Sequence, residues 1–480
     1  MKKMNFSPAT GTGAGAAAGN ATQSVALSSQ LHQVAMALQD ILGGRSGSAV
    51  MENVPVALRP GVQALLFQVL RQLGWAQAIR RQLAPRTPRP PVDALLCSAL
   101  ALLADTDNPP YEAFTLVNQT IEAAKNNSAV RAQAPFINAC LRRFLRERDA
   151  LQQAVAYDLQ AQWNHPRWWV QRLQKDHLHD EQRWQQILQA NNTQAPMVLR
   201  INKQKSTVAQ YLRALAAIDI GAFEVGEAGV VLERAVPVQL LPGFADGVVS
   251  VQDAAAQLAA PLLLSGLEIG KDFSAPLRVL DACAAPGGKT AHLLESVGPD
   301  AAVQITALDI DPARCTRIDD TLRRLGLQSP QQVQVLAADA GRPQDWWPQH
   351  CASQLFDAIL LDAPCTASGI VRRHPDVRWL RRETDIAQLA QIQARLLATL
   401  WPLLRPGGRL LYCTCSVFLA EGEQQIKAFL ARHTDAALLP SAGHLWPGQA
   451  TNAGKAGSVS DNLRGEHDGF FYALLHKSAT

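Results

Sequence analysis

From Leu277 to the end of the chain, short apolar segments alternate with longer amphipathic ones, and this alternation restricts the fold more than any other feature. The apolar segments have the length and composition of buried strands. They read LRVLDACA, QITALDID, VQVLAADA, FDAILLDAP, RLLYCTCS and GFFYALLHK. Alternating strands and helices predict a Rossmann-like α/β domain with a parallel, doubly wound sheet. Ligands of such sheets bind at the carboxyl ends of the strands, so the informative residues should follow each strand.

The rest of the chain predicts a multi-domain organisation. Residues 1–22 are rich in Gly, Ala and Thr and predict a disordered tail. Residues 23–160 have helical periodicity and predict an all-α domain, with a flexible Gly/Ser-rich segment at 43–53. Residues 161–251 predict a linker helix, from Trp169 to about Ala190, followed by a small α+β unit. Residues 252–480 then form the α/β domain.

Composition excludes several classes of protein. Hydrophobic residues make up 48% of the chain and charged residues 18%, which suits folded cores and argues against global disorder. No apolar run approaches the roughly 18 residues of a membrane span, and the N terminus lacks the apolar core of a signal peptide. The eight cysteines include no C-x-x-C pair. We therefore expect reduced thiols, a cytoplasmic protein and no metal site.

The net charge is only +4, but arginines are clustered in the helical region. No Asp or Glu occurs between Asn53 and Val92, and a second cluster follows in LRRFLRER. The two clusters are Arg59, Arg71, Arg80, Arg81, Arg86 and Arg89, and then Arg142, Arg143, Arg146 and Arg148. Such one-signed stretches suit the binding of a phosphate backbone. A solvated helix face is the alternative for either cluster alone.

The first strand of the α/β domain leads into a glycine turn, DACAAPGGKT, from Asp281 to Thr290. A glycine pair between a strand and a helix lets backbone N–H groups approach a ligand closely. The turn is not a phosphate-binding P-loop, because Cys283 stands where that motif requires glycine. The G-x-G-x-x-G dinucleotide fingerprint is also absent. The turn therefore predicts a ligand that is bound without a phosphate cradle.

Acidic residues follow the next three strands. Asp309 lies 21 residues after Gly288, a spacing at which a carboxylate accepts hydrogen bonds from ribose hydroxyls. Asp339 follows the third strand, where a carboxylate meets an adenine amino group, and Asp362 follows the fourth. Each acid alone has a helix N-cap as its alternative role. Three acids behind a glycine turn predict a ligand that contains adenosine and no phosphates.

Two cysteines follow strands at the same edge: Cys365 in DAPC and Cys415 in CTCS. A buried, inert thiol is the alternative for either one alone. A thiolate that adds to carbon 6 of a cytosine makes carbon 5 nucleophilic, so a thiol beside a sulfonium donor suits methylation of that carbon. Spacing alone does not say which of the two thiols attacks.

The motifs DACAAPGGKT, LLDAPC, RRHPD and YCTCS resemble those of the RNA 5-methylcytosine methyltransferases, the Sun or NOL/NOP family. The resemblance implies S-adenosylmethionine as methyl donor, Cys415 as nucleophile and Cys365 as the thiol that assists product release. It also implies that two groups of residues contact the donor. They are Cys283, Ala284, Ala285, Pro286, Gly287, Gly288 and Lys289 of the turn, and the acids Asp309, Asp339 and Asp362.

Two further segments, VRRHPDVRWL and HPRWW, resemble the bacterial 16S rRNA cytosine-C5 methyltransferases within that family. This implies an N-terminal domain similar to the antitermination factor NusB, a small RNA-binding α+β subdomain and a C-terminal catalytic domain. It further implies 16S rRNA as partner, cytosine 967 as target and a monomeric enzyme. Another rRNA or tRNA target is the alternative. The turn AADAGR and a Gly/Ser/Asn-rich insertion at about 448–465, expected to be a disordered loop, depart from the family pattern.

Two other classes of function were weighed. A non-catalytic RNA-binding protein would use the basic helical region but leave the glycine turn and both thiols without a role. A zinc deaminase would match His179–Glu181 as H-x-E, yet Ser368 stands where its second cysteine is required. The sequence therefore favours a methyltransferase.

Overall fold

The computed structural model describes residues 26–448 and 465–479. The predicted tail at 1–22 lies outside these residues, and so does the predicted insertion at 448–465 apart from its two end residues. The N-terminal helices are α1 (Leu27–Leu42), α2 (Gly47–Glu52), α3 (Arg59–Leu83), α4 (Pro90–Leu102), α5 (Ala113–Lys125), α6 (Ala134–Arg146), α7 (Arg148–Val155) and α8 (Leu159–Trp163). Their apolar faces enclose one core, with Leu66, Leu100 and Leu141 fully buried. Among the described helices, none combines the length and apolar character needed to cross a bilayer.

The segment 43–53 is not the flexible loop that its Gly and Ser content predicts, because it contains α2. The Ser46 hydroxyl caps this helix by accepting a hydrogen bond from the backbone N–H of Ala49 at 3.3 Å. The backbone N–H of Gly47, the first residue of the helix, donates to Oδ2 of Asp376 at 2.9 Å. A helix forms here because side chains satisfy the N–H groups of its first turn.

The connector contains two helices where the sequence predicted one. They are α9 (Arg167–Asp176) and α10 (Glu181–Asn191). The break occurs because Asp180 caps α10, its Oδ1 accepting from the N–H of Arg183 at 3.0 Å. An antiparallel sheet follows, with strand order β2-β3-β1-β4. Its elements are β1 (Met197–Ile201), α11 (Val208–Ala216), β2 (Ala222–Val225), β3 (Gly229–Leu232) and β4 (Val249–Val251).

A seven-stranded sheet forms the centre of the C-terminal region, with strand order β10-β11-β9-β8-β5-β6-β7. Its strands are β5 (Leu277–Asp281), β6 (Val303–Asp309), β7 (Val333–Ala337), β8 (Phe356–Asp362), β9 (Leu404–Thr414), β10 (Ala436–Leu445) and β11 (Phe470–Lys477). The helices are α12 (Ala259–Leu264), α13 (Gly288–Val297), α14 (Pro312–Leu325), α15 (Trp347–Cys351), α16 (Val377–Leu380), α17 (Glu383–Leu400) and α18 (Glu423–Leu430). Helices α12–α14 pack on one face of the sheet, and α15, α17 and α18 pack on the other.

The prediction of a wholly parallel sheet was wrong at one edge. Strands β5 to β9 pair in parallel, but β11 is antiparallel to β9, and β10 is antiparallel to β11. Strand β10 was missed because its sequence, AALLPSAGHL, contains Pro and Gly and has no regular apolar alternation. The chain order reverses between β5 and β8, and ligands of open α/β sheets bind at such a point.

Arg200 of β1 joins the small sheet to the large one. Its guanidinium forms a two-pronged contact with Glu295 of α13, at 2.9 and 3.0 Å, and both side chains are almost fully buried. The same group donates to the carbonyl oxygen of Gly288 at 2.9 Å. The small sheet is thereby attached directly to the glycine turn.

The segment 371–381, which contains the RRHPD motif, joins the C-terminal region to the helices before it. Arg378 is fully buried and donates to the carbonyl oxygens of Asn164 and Asn191. The Trp379 indole donates to the carbonyl oxygen of Leu70 at 2.9 Å, and its ring packs on the N-terminal helical core. The segment 371–381 therefore holds the N-terminal helices and the C-terminal region together.

Candidate active site

The glycine turn lies between the carboxyl end of β5 and the start of α13. Gly287 precedes the helix with φ +94°, a conformation that side chains rarely adopt. A Cβ atom on Gly287 would lie 3.1 Å from Ile318 of α14. Below the turn, the Thr290 hydroxyl donates to buried Asp281 at 2.7 Å. Burial raises the pKa of Asp281 to about 7.

Asp309 at the end of β6 fastens this turn to the neighbouring strand. One of its oxygens accepts from the N–H of Ala285 at 3.3 Å, and the other accepts from the N–H of Asp311 at 3.1 Å. The N-cap of α14 is Asp311, which excludes the capping role that a lone acid suggests for Asp309. The next side chain, Ile310, is 67% exposed beside the turn. A carboxylate next to an exposed apolar side chain suits the ribose and the flat base of an adenosine.

Lys289, inside the turn, connects it to the end of β8. Its Nζ lies 2.5 Å from Oδ2 of Asp362. Burial alone would lower the pKa of Lys289, but the charge and hydrogen bond of Asp362, together with the Cys413 and Cys415 thiols, raise it. The other oxygen of Asp362 accepts from the Cys413 thiol at 3.4 Å. Burial and the same carboxylate hold the pKa of Cys413 well above its ordinary value, which makes this third thiol unreactive.

The two strand-end thiols meet. The Sγ atoms of Cys365 and Cys415 are 3.5 Å apart, although 50 positions separate the residues. Both side chains are half-buried, unlike the fully enclosed Cys413. The hydrogen bond with Cys415, followed by burial, raises the pKa of Cys365 well above its ordinary value. Contact between two half-exposed thiols at the edge of the sheet sets them apart from inert core cysteines.

Two predicted contacts receive less support from the geometry. Asp339 bonds within its own turn, where it accepts from the N–H of Gly341 at 2.8 Å. The Trp346 indole N–H donates to the backbone carbonyl oxygen of Asp339 and so holds the same turn. Burial raises the pKa of Cys283, so its thiol is not a competing nucleophile. The described residues contain no group of three or more His, Cys, Asp or Glu side chains arranged to hold a metal ion.

Only part of the first arginine cluster faces solvent. Arg80 is buried against Asp93, and half-buried Arg71 donates to the carbonyl oxygen of Arg372. The other four members are exposed, and one of them, Arg81, pairs with Asp158. In the second cluster, three arginines of α6 and its end are exposed: Arg142, Arg143 and Arg146. The acid-free stretch therefore overstated the basic surface.

Sequence reasoning missed two residues of the site. Ile310 could have been found, since it directly follows an acid assigned to ribose. Glu421 gave no signal, because it belongs to no recognised motif, and only the fold brings its carboxylate to Thr366 and Ser416, the residues that follow the two thiols.

Comparison with known proteins identifies the family. Residues 274–476 match the 16S rRNA methyltransferase RsmB/F model, and residues 165–239 match the ferredoxin-like domain of RsmF/B-like methyltransferases. The ribosomal RNA small subunit methyltransferase B of Klebsiella pneumoniae (strain 342) is 40% identical over 423 residues, 87% of this chain and 89% of the relative. The Vibrio cholerae protein of the same name is 39% identical over 441 residues, 90% and 94% of the two chains. The chain belongs to the RsmB/F family of 16S rRNA methyltransferases.

Membership makes the chain an S-adenosylmethionine-dependent rRNA methyltransferase. Solved structures agree on the fold. The crystal structure of PH0851 is 24% identical, has a TM-score of 0.69 and covers 93% of this chain and 99% of its own. A methyltransferase homologue from Pyrococcus horikoshii is 25% identical, with a TM-score of 0.51 over 66% of this chain and 97% of its own. The fold is therefore a Rossmann-like methyltransferase with a mixed sheet, preceded by a ferredoxin-like domain.

Proposed function

We propose that this protein methylates carbon 5 of cytosine 967 in 16S rRNA through a covalent cysteine–cytosine adduct. The observation that carries the proposal is the 3.5 Å contact between the Cys365 and Cys415 sulfur atoms. Methylation of an exocyclic amine or a hydroxyl requires no thiol, whereas carbon 5 of cytosine needs a nucleophile to activate the ring. Another rRNA or tRNA cytosine is the alternative target.

The residues of the turn suit the methyl donor. We assign S-adenosylmethionine to the edge formed by residues 283–289 together with Asp309, Asp339 and Asp362. Gly287 lets the turn take a positive φ and pack closely against α14, and exposed Ile310 offers an apolar surface to the adenine. The donor supplies an electrophilic methyl group and leaves as S-adenosylhomocysteine. Lys289 neutralises Asp362 and so orients that carboxylate beside the thiols.

We assign nucleophilic attack to Cys415, in agreement with the T-C-S motif. The raised pKa of Cys365, caused first by its hydrogen bond with Cys415 and then by burial, keeps the proton on Cys365 and makes it the weaker nucleophile of the two. Cys415 gives up its proton to water before it attacks. The Cys415 thiolate bonds to carbon 6, and the electron pair displaced from the double bond makes carbon 5 nucleophilic. Carbon 5 then takes the methyl group.

Release requires loss of the proton from carbon 5. Once Cys415 is bonded to carbon it no longer shares a hydrogen bond with the Cys365 thiol, so the largest cause of the raised Cys365 pKa disappears. Cys365 then loses its proton to water and accepts the carbon-5 proton. The electrons of that C–H bond restore the ring double bond, the bond between sulfur and carbon 6 breaks, and Cys415 departs as a thiolate. One proton leaves for each methyl group transferred.

The region from α1 to α8 is proposed to be the NusB-like domain that binds RNA and, with the small sheet, presents the target base. The exposed arginines of α6 support this assignment. Phosphate contacts position a protein without reading sequence, so the domain would supply affinity and register. The target base leaves its stack to enter the site. The monomeric state and the cytoplasmic location remain predictions.

Bisulfite sequencing of rRNA with and without the gene tests the target. We expect cytosine 967 to lose its methyl mark when the gene is deleted, and Cys415→Ala to leave it unmodified. Cys365→Ala should trap an RNA–protein adduct on a denaturing gel, whereas Cys140→Ala in the helical domain should behave as wild type. An adduct with Cys415→Ala instead would exchange the roles of the two thiols. Loss of a mark at a different cytosine would correct the target.

A further inference from the structure

Glu421 is a fully buried carboxylate that binds both loops carrying the thiols. One of its oxygens accepts from the backbone N–H of Thr366 at 2.9 Å. Its other oxygen accepts from the Ser416 hydroxyl at 2.6 Å and also from the Thr366 hydroxyl. Thr366 directly follows Cys365, and Ser416 directly follows Cys415. A single side chain therefore fixes the residue next to each reacting sulfur.

Gln393 of α17 extends the same contact. Its side-chain amide donates to Glu421 at 3.1 Å and to the carbonyl oxygen of Pro364 at 2.9 Å. Pro364 precedes Cys365, so the Cys365 loop is held on both sides of the thiol. The Tyr412 hydroxyl donates to the Glu421 carbonyl at 2.8 Å and fixes its backbone to β9. The network has four donors for the two carboxylate oxygens, and the carboxylate lies where no water reaches it.

We propose that Glu421 is a positioning residue that holds the Cys365 and Cys415 sulfur atoms together for adduct formation and release. This inference deepens the proposed function and rests on the assignment of the two thiols. Stability alone does not require a buried charge at this point, because burying an ion is costly and an apolar group of similar volume is often neutral or stabilising. Every hydrogen-bond donor to the Glu421 carboxylate belongs to one of the two thiol loops or to Gln393, which itself donates to the Cys365 loop.

The charge of Glu421 also acts on the thiols. The groups that titrate around it are Cys365, Cys415 and Tyr412, and Arg381 lies behind the loop, where it donates to the Thr366 carbonyl. Contact with Cys415 and burial are the main causes of the raised Cys365 pKa, and the negative charge of Glu421 raises it further. Glu421 thus helps keep Cys365 protonated, so that Cys415 is the thiol that attacks.

The first test measures adduct formation in the Cys365→Ala background, with purified full-length protein, donor and RNA. Glu421→Gln has nearly the same shape and lacks the charge, and the hydroxyls of Thr366 and Ser416 can rotate to accept from the new amide. The hydrogen bonds to Thr366, Ser416 and Gln393 lose their charge assistance, so both thiol loops are held less firmly. We expect the adduct to form about 10- to 100-fold more slowly, because a displacement of a reacting group by about 1 Å can cost about 100-fold. The affinity for S-adenosylmethionine should not change. Glu423→Gln, an exposed glutamate two residues away, is the matched control.

The second test does not depend on catalysis. The pH dependence of iodoacetamide alkylation at Cys365, read by mass spectrometry of its peptide, should move to lower pH in Glu421→Gln, because thiolates react and a nearby negative charge is lost. A merely structural residue would leave that profile in place. If Glu421→Gln does not fold, Thr366→Val, which keeps the backbone donor, should show the slowed adduct formation instead.

The outcomes separate the two proposals. Absence of any adduct in Cys365→Ala would refute the covalent mechanism, while the alkylation profile would still decide the role of Glu421. Two results together would overturn the positioning role of Glu421 alone. In the Cys365→Ala background the adduct would form equally fast with or without Glu421→Gln or Thr366→Val, and the alkylation profile of Cys365 would not change.

Discussion

Replacing Arg200 with Met should destabilise the protein strongly, because it leaves Glu295 buried without its partner. The side chains of Arg200 and Glu295 are 1% and 3% exposed, so solvent screens the pair very little. Removing one member of a buried ion pair costs about 3–5 kcal/mol. For a catalytic domain of this size, each kcal/mol lowers the melting temperature by about 2–4 °C. The expected fall is therefore roughly 6–20 °C.

The assay is a thermal melt of the full chain, with calorimetry of S-adenosylmethionine binding beside it. Affinity for the donor should also fall, since Arg200 holds the Gly288 carbonyl of the turn. Lys203→Met is the matched control, because Lys203 forms an exposed ion pair with Glu227 from the same subdomain, and exposed pairs contribute about 0–1 kcal/mol. The double variant Arg200→Met/Glu295→Leu should recover most of the lost stability. A melting temperature within 2–3 °C of wild type, roughly the effect of 1 kcal/mol, would refute the reasoning.

Three other variants test the donor site, a buried acid and the RNA surface. Asp309→Ala should weaken S-adenosylmethionine binding by about 1.5–3 kcal/mol, roughly 10- to 150-fold, and unchanged affinity in calorimetry would remove Asp309 from the site. Since burial raises the pKa of Asp281 to about 7, the native state binds a proton that the unfolded state, with a pKa of about 3.9, has lost. The stability that this group contributes therefore falls as the pH rises between those two values. Asp281→Asn does not titrate and can still accept from Thr290, so its melting temperature should rise relative to that of wild type between about pH 5 and pH 8. Parallel curves of melting temperature against pH for the two proteins would contradict this. Alanine at the three exposed arginines of the second cluster should weaken RNA binding and reduce its salt slope by up to about 0.7–0.9 per lost phosphate contact, and an identical slope would make them a solvated face. The three are Arg142, Arg143 and Arg146.

The sequence predicted the sheet well where strands are buried on both faces. LRVLDACA and FDAILLDAP are mainly apolar segments, and the structure makes them the adjacent central strands β5 and β8. The edge strand β10 was missed because an edge is half-exposed and tolerates Pro and Gly. The segment 43–53 was misinterpreted for a related reason. Its helix depends on Asp376, more than 300 positions away, and no local pattern contains that information.

The candidate site divides in the same way. The glycine turn and the two thiols could be predicted because their chemistry requires specific residue types directly after strands. That the thiols touch each other could not, because it depends on the parallel register of β8 and β9. For the arginines, the sequence predicted a larger basic surface than the structure has. A one-dimensional run of positive charge cannot reveal that Arg80 turns inward to Asp93, while the fold decides which of its neighbours face solvent.

The docking of the segment 371–381 has a consequence for the order in which the chain matures. The Trp379 indole completes the surface of the helical domain by bonding to Leu70, a residue made 309 positions earlier. Domains begin to fold from the N terminus while synthesis continues. The apolar surface that Trp379 and Leu380 cover therefore stays open until most of the catalytic domain has emerged. A nascent or truncated chain that ends before this segment would leave those apolar residues of the helical domain exposed to solvent, so the helical domain is complete only when residues from the C-terminal region have been made.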